Sequence, residues 1–315
     1  MKPIKRALAL SFLSLFLPSC VSLHYKDVSY GYGTFFEYHL FEGTQKDIDG
    51  LIELVSSSSY DCDKDAKGNE KGIAEINEMG RAVVSDYLLE ELKLGVEISR
   101  ATNGYFSLFC GSLKDLWLSN LNDEKLPNEA DILAETELIS KTSFEFNGNE
   151  VIKTGEAKLD LGAIGKGFCL NKLKDNLTGK GIGKYWVSAG GSSVLFGENP
   201  NGNGGKTKVE LEDLPGKSLY LKDCAISVSS CKKQLYEVEG KKYSHIVNPF
   251  SGSAEVDLQG VIAIGEDAAI LDALSTAVYL EGEGSVKRYE ELYETRFILV
   301  RDDAVIYSSD GIILS

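Results

Sequence analysis

The chain has 315 residues, 43% of them hydrophobic and 10% aromatic, which is enough to bury a large core and excludes a disordered polymer. Asp and Glu number 48 against 33 Lys and Arg, a formal net charge of −15. So acidic a balance opposes nucleic acid and anionic lipid headgroups, and the lack of any internal repeat excludes a solenoid.

Residues 1–19 are unlike the rest. Lys2, Lys5 and Arg6 precede an apolar run from Ala7 to Leu17, the make-up of a signal peptide and too short to span a bilayer. The run ends Leu17-Pro18-Ser19-Cys20, which resembles a bacterial lipoprotein cleavage box with Cys20 as the lipidated residue. An ordinary secretory signal is the plainer alternative. Losing Lys2, Lys5 and Arg6 with residues 1–19 takes the formal charge from −15 to −18. Membrane attachment then rests on acyl chains, and an anionic ligand needs local lysines or a divalent cation. Cys62, Cys110, Cys169, Cys224 and Cys231 are spaced too irregularly for a disulfide framework, and Cys224 and Cys231 would pair only if two strands meet there.

Residues 20–31 read as a tether, and 32–315 as one catalytic-sized domain, with room for two lobes. Thr34 to Leu40 alternates like a strand, and Gln45 to Val55 has a helical pattern. A polar loop over Ser56 to Lys71 carries Tyr60 as its single aromatic, a packing plug or a lid for a planar ligand. Asp86 opens a helix with a stripe of Leu88, Leu89, Leu92, Val96 and Ile98, closed by Asn103-Gly104 and followed by Tyr105 and Phe106. Residues 128–139 read as a helix, and 142–153 as a hairpin turning at Asn147-Gly148-Asn149.

Lys158 to Phe168 alternates at first like a strand, then sets Gly162, Gly165 and Gly167 around Lys166 before a helical pattern through Leu170, Leu173 and Leu177. A glycine turn into a helix leaves N–H groups free for an anion, although the spacing matches neither the dinucleotide nor the Walker fingerprint. Lys184 to Ser188 is a short strand leading to Gly190-Gly191, and strands follow at 207–212, 218–222, 225–229 and 233–238. Tyr243 to Gly252 is a strand entering a turn, with His245 at the strand end, either an acid–base group or a structural hydrogen-bonder. Asp267 caps a helix in which Asp272 is the lone acid of an apolar run, one turn before Thr276 and beside Ser275. A buried carboxylate needs a cation or several donors, and no positive partner lies nearby in sequence. A carboxylate and a hydroxyl one turn apart make part of an oxygen shell for Mg²⁺; a local Asp–Ser/Thr cluster is the alternative. The order of elements predicts an α+β protein with mixed or antiparallel sheets and packed helices.

Asp160-Leu-Gly-Ala-Ile-Gly-Lys-Gly, Gly190-Gly191, His245-Ile-Val-Asn-Pro-Phe-Ser-Gly and Asp272-Ala-Leu-Ser-Thr, in that order, resemble the FAD:protein FMN transferases, the ApbE family. The similarity extends through Tyr32-Gly33-Thr34, Ile76-Asn77 and Thr102 to Phe106. The resemblance implies a T-fold-like ApbE architecture and a lipid-anchored, periplasmic enzyme of the inner membrane. Such an enzyme would move FMN from FAD to a threonine of a client protein, such as a membrane redox-complex subunit, with Mg²⁺ and release of AMP. It implies flavin contacts at Tyr32 and Tyr60, with Tyr60 stacking on the ring. Further FAD contacts would fall at Tyr105, Phe106, Ser107, Asp160, Lys166 and Val247. Metal contacts would come from the Ala163 carbonyl, Asp272 and Thr276, more weakly from Ser275, and His245 would assist proton removal. The chain departs from the family at Ser107, Ser192, Asn248 and the Ser227-Val228-Ser229-Ser230 run. A Mg²⁺-dependent FAD pyrophosphatase and a non-catalytic flavin-binding lipoprotein are the alternatives.

Overall fold

The computed structural model describes residues 24–66 and 72–315. Cys20 and the signal segment lie outside the described residues, as does the far end of the expected 56–71 loop. The elements run β1 (Tyr25–Gly31), β2 (Thr34–Leu40), α1 (Gln45–Cys62), α2 (Ile73–Met79), β3 (Arg81–Val83), α3 (Asp86–Ala101), α4 (Gly111–Asn122) and α5 (Glu129–Lys141). Then come β4 (Phe144–Asn147), β5 (Glu150–Lys153), α6 (Gly165–Gly179), β6 (Tyr185–Ala189), β7 (Ser193–Phe196), β8 (Thr207–Glu210), β9 (Ser218–Leu221) and β10 (Cys224–Ser230). The chain closes with β11 (Leu235–Val238), β12 (Lys241–Ser244), β13 (Gly260–Gly265), α7 (Ala268–Glu281), α8 (Val286–Tyr293), β14 (Arg296–Arg301) and β15 (Ala304–Ser308).

An eight-stranded antiparallel sheet in the order β1-β2-β6-β7-β10-β13-β14-β15 is the frame. Alternation along each strand divides its faces. One face, with Phe36, Tyr38, Val187, Ala225, Ala263 and Phe297, packs on the apolar sides of α1, α6 and α7. The other, with Val194, Phe196, Ile226, Ile262 and Ile298, is covered by Leu211, Leu214, Leu219 and Leu221 around the β8–β9 hairpin. A third cluster joins Leu113, Trp117 and Leu121 of α4 to Tyr243, Val247 and Ala254, and the Trp117 indole donates to the Gly252 carbonyl at 2.6 Å.

The expected α+β class holds, and several boundaries change. Residues 25–31 are no tether: they pair along their whole length with β2, from Tyr25 opposite Leu40 to Gly31 opposite Thr34. The helix that starts at Gln45 continues to Cys62, since Val55, Ser58 and Cys62 keep a buried stripe beneath its polar surface; Tyr60 is therefore on a helix. Residues 158–161 form no ladder strand and are held instead by the loop before α4, through Gly111 N to Lys158 O at 2.9 Å and Asp160 N to Leu108 O at 2.9 Å. Cys224 and Cys231 bracket β10, so a strand's length of about 20 Å separates them and they cannot pair.

Candidate functional site

Three segments distant in sequence meet around the start of α6. Its first turn has no capping side chain of its own, and the N-cap Ile164 sits at φ −145°, ψ −32°. The cap comes from α7: Asp272 Oδ2 accepts from the Gly167 N–H at 3.2 Å. One orphan donor of the helix start is thereby satisfied by a carboxylate, the charge that the N-terminal end of a helix dipole favours. Gly167 is required for that approach, because a Cβ there would lie 2.1 Å from the Ala268 carbonyl oxygen. The Ala163 carbonyl stands one residue before the N-cap, outside the helix's own hydrogen-bond ladder, which begins at Phe168 N to Ile164 O. Among the described residues no hydrogen bond to that carbonyl is found.

Asp272 is 4% exposed and its two oxygens face different partners. Oδ2 also takes the Lys166 ammonium at 3.4 Å, and the same ammonium reaches Gly162 O at 3.1 Å. The positive partner that the neighbouring sequence lacks comes from afar: Lys166 is 106 residues away in sequence and adjacent in space. Oδ1 accepts from Ser227 Oγ at 2.8 Å and Ser193 Oγ at 3.2 Å. One turn on, the Thr276 hydroxyl contacts Ser229 Oγ at 3.0 Å.

These groups open onto a cleft of about 760 Å³. Tyr105, Phe106, Ser107, Asp160, Ala163, Lys166, His245, Val247, Asp272 and Thr276 all line it, so most of the expected site residues share one space. Lys114 from α4 and Lys233 line it as well, and with Lys166 they supply the local positive charge that an acidic protein needs for an anionic ligand. Asp160 is gripped from two sides, by Lys114 Nζ to Oδ2 at 3.1 Å and by the Gly162 N–H to Oδ1 at 2.7 Å. Burial alone would raise its pKa, but Lys114 and the Gly162 N–H outweigh it and hold the carboxyl below its ordinary range. His245 is pushed down to about 4 by burial first and then by the ammonium groups of Lys114 and Lys166. Its imidazole is neutral at pH 7, and its buried Nδ1 has no hydrogen-bond partner among the described residues.

Three expected residues are elsewhere. Tyr32 stands behind the glycine turn: its ring packs beside Gly165 and its hydroxyl is 2.7 Å from that of Tyr87. Tyr60 is 50% exposed near the end of α1 and does not line the cleft. Ser275 is fully buried, facing the sheet, with its hydroxyl committed to Asp272 O at 2.9 Å and Ser229 Oγ at 2.8 Å. Sequence reasoning missed Lys114, although Leu113, Trp117 and Leu121 at four-residue spacing mark the helix that carries it. It also missed Glu91 of α3, which is 0% exposed and lies directly behind the glycine turn, with Oε1 unpartnered among the described residues. Burial first, then the charge of Asp272, raises its pKa to about 8 against the Cys62 thiol that donates to it.

Residues 32–298 match the profile of the ApbE family. The chain belongs to the ApbE family. It is 25% identical over 250 residues to the FAD:protein FMN transferase of Vibrio cholerae, spanning 76% of this chain and 73% of that one. It is 23% identical over 282 residues to the FAD:protein FMN transferase of Treponema pallidum, spanning 79% and 75%. The fold is shared with the ApbE protein of Thermotoga maritima, at a TM-score of 0.79 and 21% identity over 91% of this chain and 97% of that one. It is shared also with the flavinyl transferase ApbE of Pseudomonas stutzeri, at a TM-score of 0.75 and 18% identity over 93% of this chain and 94% of that one.

The divalent cation expected from the sequence would find suitable oxygens at this site. Mg²⁺ takes hard oxygen ligands with one or two carboxylates and dehydrates reluctantly. The Ala163 carbonyl, the Asp272 carboxylate and the Thr276 hydroxyl are such donors on one side of the cleft. Among the described residues no group of three His, Cys, Asp or Glu side chains converges. An ion here would depend on a single carboxylate and on substrate oxygens.

Proposed function

We propose that the protein is a Mg²⁺-dependent FAD:protein FMN transferase, which moves FMN from FAD to a threonine hydroxyl of a client flavoprotein. The acceptor oxygen attacks the FMN phosphorus, the bond from that phosphorus to the AMP phosphate oxygen breaks, and the hydroxyl proton passes to a base. The observation that carries this reading is the meeting of Asp272, Lys166 and the Gly162–Gly167 turn in one cleft with His245, in a chain of the ApbE family.

Each group has a part. Ala163 O, Asp272 and Thr276 would hold Mg²⁺, which when bound neutralises the pyrophosphate and stabilises the leaving AMP. Lys166 and Lys114 add fixed positive charge where the phosphates lie, so less reorganisation is needed as charge develops. His245, neutral at pH 7, accepts the proton of the acceptor hydroxyl. Tyr105, Phe106, Ser107 and Val247 form the wall against which the dinucleotide rests. Attachment through a lipidated Cys20, on the periplasmic side of the inner membrane, would put the enzyme beside outward-facing redox subunits.

Incubation of the full chain with FAD, Mg²⁺ and a client flavoprotein domain, followed by mass spectrometry, tests the reading. The expected result is an FMN adduct on the client and one AMP per adduct. Free FMN with an unmodified client would replace the transferase by a pyrophosphatase, and FAD left intact would remove the enzyme altogether.

A further inference from the structure

The run Ser227-Val228-Ser229-Ser230 puts hydroxyls on a buried sheet face where the proposed chemistry gives them no part. On β10 the side chains alternate, so Ser227 and Ser229 face α7 while Ile226 and Val228 face the other layer. The rise between them matches one turn of the helix opposite. Ser227 meets Asp272 at 2.8 Å, and Ser229 meets Thr276 at 3.0 Å and Ser275 at 2.8 Å. Ser193 of β7 lies directly across from Ser227 in the ladder and adds the second bond to Asp272 Oδ1, at 3.2 Å. Each hydroxyl has one proton. With both protons given to the carboxylate, the 3.1 Å contact between the two serine oxygens is a side-by-side approach.

We infer that Ser193, Ser227 and Ser229 are positioning residues, which fix the metal-binding oxygens of α7 from the sheet side. Ser193 and Ser227 tie down Oδ1, so that Oδ2 is the oxygen turned to the cleft, where Lys166 and the Gly167 N–H meet it. Ser229 sets the rotamer of Thr276. Ser193 and Ser227 are at 0% exposure and do not line the cleft, so they act only through Asp272; Ser229, 8% exposed, reaches the cleft edge beside Thr276. Hydroxyls in such a place hold no packing advantage over alanine or valine on a sheet face; orienting a carboxylate is what they add. This inference rests on the proposed metal-dependent reading.

The test is equilibrium Mn²⁺ binding to the full chain, followed by electron paramagnetic resonance, for wild type, Ser193→Ala, Ser227→Ala, the double variant, Ser227→Thr and Asp272→Asn. Loss of an orienting partner typically weakens metal affinity ~10–100-fold. The double variant is expected to show that loss, with Ser227→Thr near wild type because it restores the hydroxyl. Fluorescence titration of FAD without metal is expected to stay within about twofold of wild type in the double variant, since Ser193 and Ser227 do not line the cleft. Double-variant affinity within threefold of wild type overturns the inference, as does a fall in melting temperature with unchanged Mn²⁺ binding. Asp272→Asn separates the two levels. If Asp272→Asn still binds Mn²⁺ like wild type, the metal reading itself fails and the serine role falls with it. If it loses Mn²⁺ while the double variant does not, only the serine role is refuted.

Discussion

Replacing Asp272 by Asn keeps the shape of the side chain and removes its charge. The amide oxygen would face the two obligate donors, Lys166 Nζ and the Gly167 N–H, and the amide N–H groups would face Ser193 and Ser227, whose hydroxyls can rotate to accept. No buried group is left without a partner, so folding survives. What is lost is the charge assistance of the Lys166 pair, in which the side chains are 18% and 6% exposed, and of the Gly167 bond. A hydrogen bond to a charged group contributes about 1.5–3 kcal/mol against about 1 for a neutral one, so the cost is about 2 kcal/mol, or a melting temperature lower by about 4–8 °C. The catalytic loss is expected to be larger. The site has one carboxylate for a divalent ion, and an ion's charge stabilisation is worth several kcal/mol, so transfer should fall by about a thousandfold. Thermal unfolding and AMP release, measured on the same preparation, give the two numbers. Transfer within tenfold of wild type would refute the metal role. A melting temperature lowered by more than about 20 °C would instead make Asp272 a keystone of the α6–α7 junction.

Glu91 binds its proton more tightly in the fold, at about 8, than a free glutamate does, so stability falls as pH rises from the ordinary carboxylate range to about 8. Glu91→Gln removes that dependence. The variant's advantage in urea denaturation should grow from pH 5 to pH 8 by at most about 1.4 kcal/mol per unit, and an advantage independent of pH would contradict the buried proton. His245, depressed to about 4, predicts a transfer rate flat through neutral pH, with an acid limb at about 4. A limb at the ordinary histidine value, or an unchanged profile in His245→Ala, would assign the base elsewhere. Lys114→Met strands the buried Asp160 carboxylate and should cost about 3 kcal/mol. Adding Asp160→Asn should recover part of that loss, and additive losses would show that the two are uncoupled.

Local signals were legible wherever one segment carries them. Asp267 capping α7, with its side chain accepting from Ile270 N–H, needs four residues, and the hairpin at Asn147–Glu150 needs only a few more. The helix after Gly165 was read correctly because its leucines repeat within one face. The partners of Asp272 were illegible for the converse reason. Lys166, Ser193 and Ser227 come from three elements, brought together by sheet order and by the α6–α7 crossing, and a sequence states neither. Tyr60 shows a further limit. Polar residues from Ser56 onward look like a loop, yet Ser57 and Ser58 return their hydroxyls to carbonyls one turn back and let the helix continue. Tyr32 matched by position in sequence, and its left-handed backbone at φ 53° turns the ring behind the site.

Strand β10 carries an implication for assembly of the chain. Its pairing with β7 and β13 decides which of its side chains look at α7, and a slip by one residue would turn Ile226 and Val228 toward the acid and the serines away. Threading of the central sheet and competence of the enzyme are thereby checked by the same alignment. A molecule threaded out of register would lose the serine contacts of Asp272 together with its native strand pairing.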